Sequence, residues 1–500
     1  MAEAWPLRER LARAGAALEL GRALQRRGSV LRIGDGVAVV SGLEDVGYEE
    51  LITFDSGALG MAYDLDPTTV GVILLSGMER VVSGEGVRRL QRFPSVPVGP
   101  ELLGRVVDPL GSPLDDGPPP AGELRRALFQ PAPEFIERKG VDQPLLTGVM
   151  LLDAAIPIGR GQRELIVGDR NVGKTALALD VIAAQRSSGV ACVYVLIGQP
   201  MSRVLAVRGT LERVGALANT VIVAGDAAMS PGMQYLAPYA GASIAESFRE
   251  QGQDALVVYD DLTKHADVYR ELALLLDRPP GREAYPGDIF YVHAELLERA
   301  AVRNSGAGGG SVTAFPIVET TDSDISSYIP TNLISITDGQ IYLDTGRFER
   351  NLRPAVDIGR SVSRIGAVAQ PAAMRQAARN LRILMSRFES LEALTRVGLD
   401  VEESTQLTLR RGRVMRELLR QGSLSPRPVS AQVFALTAVN EGWLDGLEPS
   451  DAVALCWRAV EQAPPEVMHG LDGEAPLPQD WKARLRTYLE GERPAEGHPA

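Results

Sequence analysis

The segment that most constrains the fold is residues 168–175, which read Gly-Asp-Arg-Asn-Val-Gly-Lys-Thr and follow the apolar run 164–167. A short strand, a glycine-containing loop and a helix start in this order are typical of a phosphate-binding P-loop. Gly168 and Gly173 allow consecutive backbone N–H groups to turn toward an anion. The segment therefore predicts a nucleotide site on a strand-loop-helix unit. A strand-to-helix turn without a ligand is the alternative interpretation.

Residue types within this loop predict its contacts. The Lys174 ammonium can reach the outer phosphates of a nucleotide, and the Thr175 hydroxyl can ligate Mg²⁺. The helix that begins at Lys174 directs the positive end of its dipole toward the phosphates. The predicted nucleotide ligands of the loop are Gly168, Asp169, Arg170, Asn171, Val172, Gly173, Lys174 and Thr175.

Charge and cysteine content exclude several classes of function. A formal net charge of −12 argues against nucleic acid as the main partner, since a phosphate backbone requires a basic face. Cys192 and Cys456 lack the spacing of metal ligands, which favours a reducing cytoplasm. No stretch reaches the ~18 apolar residues of a membrane span, and the arginine-rich N-terminus lacks the apolar core of a secretory signal. Membrane association is therefore expected only through a partner.

Changes in residue periodicity predict a multidomain α/β protein. Short alternating runs with turn signals predict an N-terminal antiparallel β-barrel, and the strand-helix alternation that follows predicts a mostly parallel, RecA-like P-loop domain. Beyond Pro371 the pattern becomes helical. The predicted boundaries are an N-terminal helix at 1–27, the barrel at 28–93, the nucleotide-binding domain at 94–370, a helical bundle at 371–465 and a partly flexible extension at 466–500. The first helix fits a docking or a capping role equally well.

Strands of the central domain are predicted at residues 164–167, 193–197, 221–224, 255–259, 311–318 and 333–336. The run 255–259 ends in Asp260 and Asp261. An apolar strand that ends in an acid is the expected partner of a P-loop, because a carboxylate there holds the waters of Mg²⁺. Asp260 is predicted to take this role, and Asp261 can cap the following helix instead.

A general base for ATP hydrolysis is expected at the tip of the strand beside the P-loop strand. We assign that tip to residues 196–201, where the polar side chain is Gln199. An amide can position a water molecule but cannot accept its proton at neutral pH. The alternative is a base elsewhere, such as Glu319 or Asp322. The residue types leave both interpretations open.

Longer segments carry a specific resemblance. Residues 156–165, 168–175, 279–288, 328–340 and 361–366 are similar to the alpha subunit of rotary F-type ATP synthases, and the similarity extends from about 27 to about 460. The resemblance implies the same domain order, ATP or ADP with Mg²⁺ as ligands, and a role in coupling proton or sodium transport to ATP synthesis or hydrolysis. It further implies an alternating ring with a catalytic beta subunit, contact with a gamma shaft and stator subunits, and a peripheral location on the cytoplasmic face of the bacterial plasma membrane.

The resemblance also assigns individual residues. Beta subunits carry the catalytic glutamate at the position of Gln199, which implies a non-catalytic site in this chain. Arg364 matches the alpha-subunit arginine that reaches the phosphates of the neighbouring beta subunit, and Ser361 shapes that loop. A surface ion pair is the alternative role for Arg364. Adenine contacts are implied for Arg353, Pro354 and Gln421.

Several positions depart from the family pattern. Asn171 and Val172 replace a glutamine and a threonine, Ser423 replaces a second glutamine, and Pro200 and Met201 stand where a basic residue is usual. These changes bear on nucleotide affinity and base selectivity. The N-terminal helix is a poor match, which suggests a different stator attachment or an alternate, Na⁺-coupled branch. A self-sufficient homohexameric P-loop ATPase, such as a secretion motor or translocase, and a partner protein with an empty inherited site are the competing functions.

Overall fold

The computed structural model describes residues 27–120, 124–395, 403–473 and 476–493. The predicted N-terminal helix lies outside these ranges except for Arg27, which begins the first strand. The last residues of the predicted extension, 494–500, also lie outside them.

The N-terminal part is a closed antiparallel β-barrel, as predicted. Its strands are β1 (Arg27–Gly34), β2 (Val37–Ser41), β3 (Leu51–Phe54), β4 (Leu59–Leu65), β5 (Thr69–Ser76) and β6 (Gly86–Arg89), in the order β1-β2-β5-β4-β3-β6. Val72 and Leu74 of β5 point into the barrel core, whereas Ile73 and Leu75 pack against the next domain. Because successive side chains of a strand face opposite sides, β5 is apolar at consecutive positions.

The central domain contains a sheet that is mainly parallel. Short strands β7 (Ser95–Pro97) and β9 (Arg125–Ala127) pair separately. The main sheet, ten-stranded within the described residues, comprises β8 (Val106–Val107), β10 (Arg138–Lys139), β11 (Leu165–Gly168), β12 (Ala191–Gln199), β13 (Thr220–Asp226), β14 (Asp254–Asp260), β15 (Val302–Arg303), β16 (Ser311–Glu319), β17 (Gly339–Leu343) and β18 (Val362–Ser363). Its order is β18-β17-β11-β16-β14-β12-β13-β8, with β15 on β16 and β10 on β15. Only the pairings of β18, β15 and β10 are antiparallel within the described strands of this sheet.

Helices cover both faces of this sheet. They are α1 (Met150–Ala155), α2 (Lys174–Ala184), α3 (Met201–Arg213), α4 (Pro231–Glu250), α5 (Leu262–Leu275), α6 (Ile289–Glu298), α7 (Tyr328–Ile336) and α8 (Thr345–Glu349). In β12, Tyr194 and Leu196 belong to one core cluster, and Val193 and Val195 belong to the cluster on the other face. Burial on both faces explains why β12 is continuously apolar.

The prediction of a strand at 333–336 is wrong, because these residues form the end of helix α7. Ile329, Leu333 and Ile336 of α7 are buried, which is the i, i+4, i+7 spacing of one helix face. The strand of this region is β17, which lies beside β11. A short apolar run does not by itself distinguish a strand from a buried helical turn.

The C-terminal part is helical, as predicted. Its helices are α9 (Ala372–Ala377), α10 (Leu381–Thr395), α11 (Glu403–Leu419), α12 (Val429–Asn440), α13 (Pro449–Gln462), α14 (Pro465–Met468) and α15 (Trp481–Gly491). Trp481, Leu485 and Leu489 of α15, which lies within the extension predicted to be partly flexible, are buried. Across the parts of the protein that the structure describes, no helix combines the length and the apolar character needed to cross a membrane.

Candidate nucleotide-binding site

The P-loop connects the buried strand β11 to helix α2. Gly173 has φ of 103° and Asn171 has φ of 63°, in the left-handed region that glycine and asparagine tolerate best. A side chain at Gly168 would meet the backbone of β17, since its Cβ would lie 2.7 Å from the Leu343 carbonyl oxygen. Local backbone requirements therefore explain both glycines and the asparagine of this loop.

Lys174 is held under the loop. Its Nζ donates hydrogen bonds to the carbonyl oxygens of Gly168 at 2.8 Å and Asp169 at 2.6 Å. The Glu319 carboxylate lies 3.9 Å away. Burial lowers the pKa of Lys174, and the charges of Glu319, Asp261 and Asp260 oppose that shift. The loop thus presents a positive charge in the place where phosphate oxygens are held in P-loops.

Oxygen ligands suited to Mg²⁺ converge beside this lysine. The Thr175 hydroxyl donates to Asp260 Oδ2 at 2.9 Å, and the Tyr194 hydroxyl donates to the same oxygen at 2.7 Å. Asp260 ends β14 and is buried. Hard oxygen atoms of this kind fit Mg²⁺, which typically keeps several of its waters. The predicted metal role of Thr175 and Asp260 thus has a matching donor set.

Strand β14 is not directly beside β11, because β16 lies between them. The Asp260 carboxylate nevertheless accepts the hydrogen bond of the Thr175 hydroxyl, although β16 separates β14 from the P-loop strand β11. Asp261 turns away and caps α5 by accepting a hydrogen bond from the Lys264 N–H at 2.8 Å, the alternative that the sequence allowed. Burial, followed by the nearby charge of Asp260, raises the pKa of Asp261 to about 7. The two adjacent carboxylates therefore have different surroundings and different contacts.

Gln199 ends β12 and lines the phosphate cavity, and its Nε2 lies 3.5 Å from Asp261 Oδ2. The expectation that β12 lies beside the P-loop strand is wrong, since β16 and β14 separate it from β11. Glu319 ends β16, the true neighbour, and lines the same cavity. The Arg170 guanidinium donates to the Glu319 carboxylate at 2.9 Å. Asp322 is outside the described lining.

The phosphate cavity has a volume of about 640 Å³. Its described lining consists of Asn171, Gly173, Lys174, Thr175, Ala176, Gln199, Pro200, Ser202, Arg203, Ala206, Asp260 and Glu319. Arg203 was not predicted. It belongs to the first turn of α3, and its backbone N–H donates to the Pro200 carbonyl at 2.8 Å. The signal that could have indicated Arg203 is its place in the first turn of the helix that directly follows the strand tip at Gln199.

The Asp169 carboxylate is committed to neighbouring loops. It accepts hydrogen bonds from the hydroxyl groups of Thr320, Ser323 and Thr345 at 2.6 to 3.0 Å, and from the Ser323 N–H at 2.9 Å. Partial burial acts to raise its pKa, but these hydrogen bonds outweigh burial and lower the pKa of Asp169. The side chain therefore braces the P-loop, and its backbone carbonyl is the group that contacts Lys174.

The two segments predicted to contact adenine lie together. The Gln421 N–H donates to the Arg353 carbonyl at 2.9 Å. Its side-chain amide donates to the Gly148 and Ser425 carbonyls, each at 2.7 Å, and accepts from the Met150 N–H at 3.1 Å. Arg353 and Pro354 line a separate small cavity of about 30 Å³. Both N–H groups of the Gln421 amide are used by the backbone, whereas its oxygen accepts one of the two hydrogen bonds open to it, so an adenine amino group could bond that oxygen without displacing a partner.

Arg364 lies at a different surface, directly after β18. Its side chain is exposed and makes no hydrogen bond or ion pair with the described residues, while its N–H donates to the Asp338 carbonyl at 2.9 Å. Ser361 is buried beneath it. The Ser361 hydroxyl donates to the Asp357 carbonyl at 2.6 Å and accepts from the Tyr342 N–H at 2.9 Å. The loop is thus fixed by the hydrogen bonds of Ser361 and of the Arg364 backbone, while the Arg364 side chain is exposed.

A P-loop lysine, a threonine that contacts a strand-end acid and a mainly parallel sheet define a P-loop nucleotide-binding protein. Three family models match consecutive parts of the sequence. They describe the beta-barrel domain of the ATP synthase alpha/beta family at residues 24–91, its nucleotide-binding domain at 148–363, and its C-terminal domain at 370–491. This protein belongs to the ATP synthase alpha/beta family, which confirms the resemblance and the domain order.

Curated relatives agree with this assignment. The protein named ATP synthase subunit alpha of Dehalococcoides mccartyi is 46% identical over 467 residues, which cover 93% of each of the two proteins. The protein of the same name from Caldanaerobacter subterraneus is 47% identical over 468 residues, or 93% of this protein and 92% of the relative. ATP synthase subunit alpha 2 of Syntrophotalea carbinolica is 49% identical over 462 residues, or 92% of this protein and 88% of the relative.

Proposed function

We propose that this protein is the alpha subunit of an F-type ATP synthase. It holds ATP or ADP with Mg²⁺ at the phosphate cavity without hydrolysing it, and it supplies Arg364 to the catalytic site of a neighbouring beta subunit. The names of the relatives and the match to all three family domains support the first part. The contacts within the cavity support the second.

The non-catalytic assignment rests on one observation: among the polar side chains that line the cavity, none is a carboxylate without a partner in the described structure. Gln199 offers an amide, which cannot accept a proton from water at neutral pH. Asp260 and Glu319 are the carboxylates of the described lining. Asp260 accepts hydrogen bonds from Thr175 and Tyr194, and Glu319 is paired with Arg170. A general base needs a free carboxylate within reach of the water. Both carboxylates have other partners.

Arg364 has the opposite character, because its charge is exposed and unpaired within the described residues. A guanidinium offers a planar fork of donors and remains charged at any physiological pH. Supplied from a neighbouring subunit, such a group stabilises the charge that develops on a transferred phosphoryl group. Its fixed backbone and exposed side chain suit this role in trans.

The remaining assignments follow from membership of such a complex. We propose an alternating ring with the catalytic beta subunit, contact with the central gamma shaft and the stator, and peripheral placement on the cytoplasmic face of the bacterial plasma membrane. The complex couples proton or sodium transport to ATP synthesis or hydrolysis. The atypical N-terminal region is the proposed site of any difference in stator attachment.

The proposal is tested by measuring phosphate release from ATP. The purified protein is assayed alone and after mixing with the beta-type subunit of its complex. We expect no release from the protein alone above that of Lys174→Ala, and rapid release from mixed rings. Native mass measurements on the same samples report their composition. Homohexamers that hydrolyse ATP would overturn the proposal in favour of a self-sufficient ATPase. In that case Glu319→Gln would identify the carboxylate responsible.

A further inference from the structure

A second large cavity lies between the Arg364 loop and the C-terminal helices. Its volume is about 600 Å³, and it is open to solvent. The described lining comprises Ala154, Ala155, Pro157, Val362, Ser363, Gly366, Ala367, Gln370, Arg375, Gln376, Ala378, Arg379 and Arg382. We call this cavity the arginine groove, because three arginines supply its charge and no carboxylate belongs to the described lining.

Backbone carbonyls set the orientation of two of these arginines. The Arg382 guanidinium donates to the carbonyls of Ala155 at 3.0 Å and Ser361 at 3.1 Å. The Arg375 guanidinium donates to the Gln370 carbonyl at 3.2 Å. Arg379 makes no ion pair or hydrogen bond with the residues that the structure describes. Burial lowers the pKa of Arg382, and no carboxylate opposes this shift. The positive charge of the groove is thus not neutralised within the described part of the protein.

Apolar surface accompanies this charge. Val362 at the edge of the groove is 41% exposed, and Val368 nearby is 59% exposed. Alanine and proline side chains form much of the wall. A small anion would use the arginines and leave this apolar surface in water, whereas a protein segment with acidic and apolar side chains would cover both. The composition of the groove therefore favours a protein segment as its occupant.

The position of the groove indicates which protein. Val362, Ser363, Gly366 and Ala367 line the groove and flank Arg364 on both sides in sequence. A subunit that receives Arg364 at its phosphates must therefore cover this loop, and its surface continues over the groove. We propose that the arginine groove docks an acidic segment of the neighbouring catalytic subunit. This inference rests on the proposed function, and it assigns to Arg375 and Arg379 a role in assembly that is separate from the chemistry of Arg364.

Charge reversal tests the groove. Arg379→Glu, alone and combined with Arg375→Glu, is compared with wild type and with Arg387→Glu, an exposed arginine of the nearby helix α10 outside the groove lining. Association with the beta-type subunit is measured by native mass spectrometry and sedimentation at several salt concentrations. We expect Arg379→Glu to weaken association at least tenfold at low salt and by less at high salt, because salt screens the interaction between exposed charges. Arg387→Glu should behave as wild type.

Unchanged association of Arg379→Glu and of the double variant, with mixed rings still formed, would overturn the groove assignment and leave the proposed function standing. Absence of mixed rings for wild type would overturn both. Pyrophosphate binding to the isolated protein that is lost in Arg379→Glu while association is unchanged would identify a small anion as the occupant instead. Arg379→Ala removes the charge without reversing it. Its thermal unfolding midpoint, compared with that of wild type, shows whether weaker association comes from the lost charge or from a loss of folding.

Discussion

Lys174 illustrates how single residues of the site depend on one another. Its ammonium is buried, so it needs both the carbonyl oxygens of Gly168 and Asp169 and the nearby acids to remain charged. Asp169 can serve as part of that support because three hydroxyl groups hold its loop in place. The binding charge is therefore maintained by groups that need not contact the nucleotide.

We predict that Lys174→Ala weakens binding of Mg-ATP to this protein by at least tenfold, about 1.4 kcal/mol or more, because it removes a charge-assisted contact to the phosphates. Titration of a fluorescent ATP analogue measures the change. Thermal unfolding without nucleotide checks that the variant is folded. Equal affinity for both proteins would contradict the assignment of the phosphate cavity.

Arg203 is a second residue-scale test. Arg203 lines the phosphate cavity together with Gln199 and Pro200. We predict that Arg203→Ala weakens Mg-ATP binding by about threefold to tenfold, since an exposed cation near phosphates contributes roughly 1 kcal/mol. Arg213→Ala, an exposed arginine in the last turn of the same helix, is the matched control and should bind as wild type.

At the scale of elements, side chains at helix ends connect parts of the fold that are distant in sequence. The Ser230 hydroxyl caps α4 through the Met233 N–H at 3.3 Å and donates to the Leu75 carbonyl of the barrel at 2.9 Å. Asp180 in α2 accepts a hydrogen bond from the Leu424 N–H at 2.5 Å. Through Asp180, the helix of the P-loop is tied to the C-terminal segment that contains Gln421 and Ser423.

The Asp180 contact predicts a pH effect. Burial raises the pKa of this carboxyl to about 6, although the Leu424 N–H opposes the shift. The folded protein holds the proton more tightly than the unfolded protein, in which an aspartic acid has a pKa of about 3.9. The stability that this group contributes is thus complete below pH ~4 and is lost as the pH rises through about 6.

Asp180→Asn keeps an oxygen acceptor for Leu424 and removes the ionisation. We expect the thermal unfolding midpoint of the variant, relative to that of wild type, to be higher at pH 7.5 than at pH 5. Differential scanning fluorimetry at both pH values measures this difference. A gap between the two proteins that does not change with pH would show that Asp180 does not titrate in this range.

At the scale of the whole molecule, the protein has two separate surfaces to which we propose functions. The phosphate cavity lies near the ends of β12, β14 and β16, whereas the Arg364 loop follows the edge strand β18. In the proposed function, this separation lets one subunit hold its own nucleotide and contribute a charge to another site. Such a division is the proposed basis of the alternating ring.

In the assembled complex, Arg364→Ala should impair the proposed function of the Arg364 loop and leave that of the phosphate cavity unchanged. We expect ATP hydrolysis by mixed rings to fall about a thousandfold, the lower end of the range for a trans-acting arginine, because the transition-state charge loses its donor. Nucleotide binding by the subunit itself and ring assembly should remain as in wild type. Arg387→Ala serves as the control. Full activity of Arg364→Ala rings would instead assign the residue to a surface role.

The sequence by itself determined the P-loop, the Asp260-Asp261 pair, the barrel and the order of the domains. These features depend on residues close together along the backbone, where strand alternation, turn residues and loop glycines have direct local causes. The family resemblance could be identified from the same local motifs, and the family models confirm it.

The tertiary structure decided which distant residues meet. In the order β17-β11-β16-β14-β12, Glu319 lies on β16, which is the direct neighbour of the P-loop strand β11. Asp260 lies one strand further away, on β14. Gln199 ends β12, two strands beyond β16, and it still lines the phosphate cavity together with Arg203. The sequence does not contain strand order explicitly, because pairing between strands depends on packing of whole helices and sheet faces. For the same reason the sequence did not show that residues 333–336 belong to a helix. Nor did it show that three arginines, from α9, from α10 and from the turn between them, line one groove.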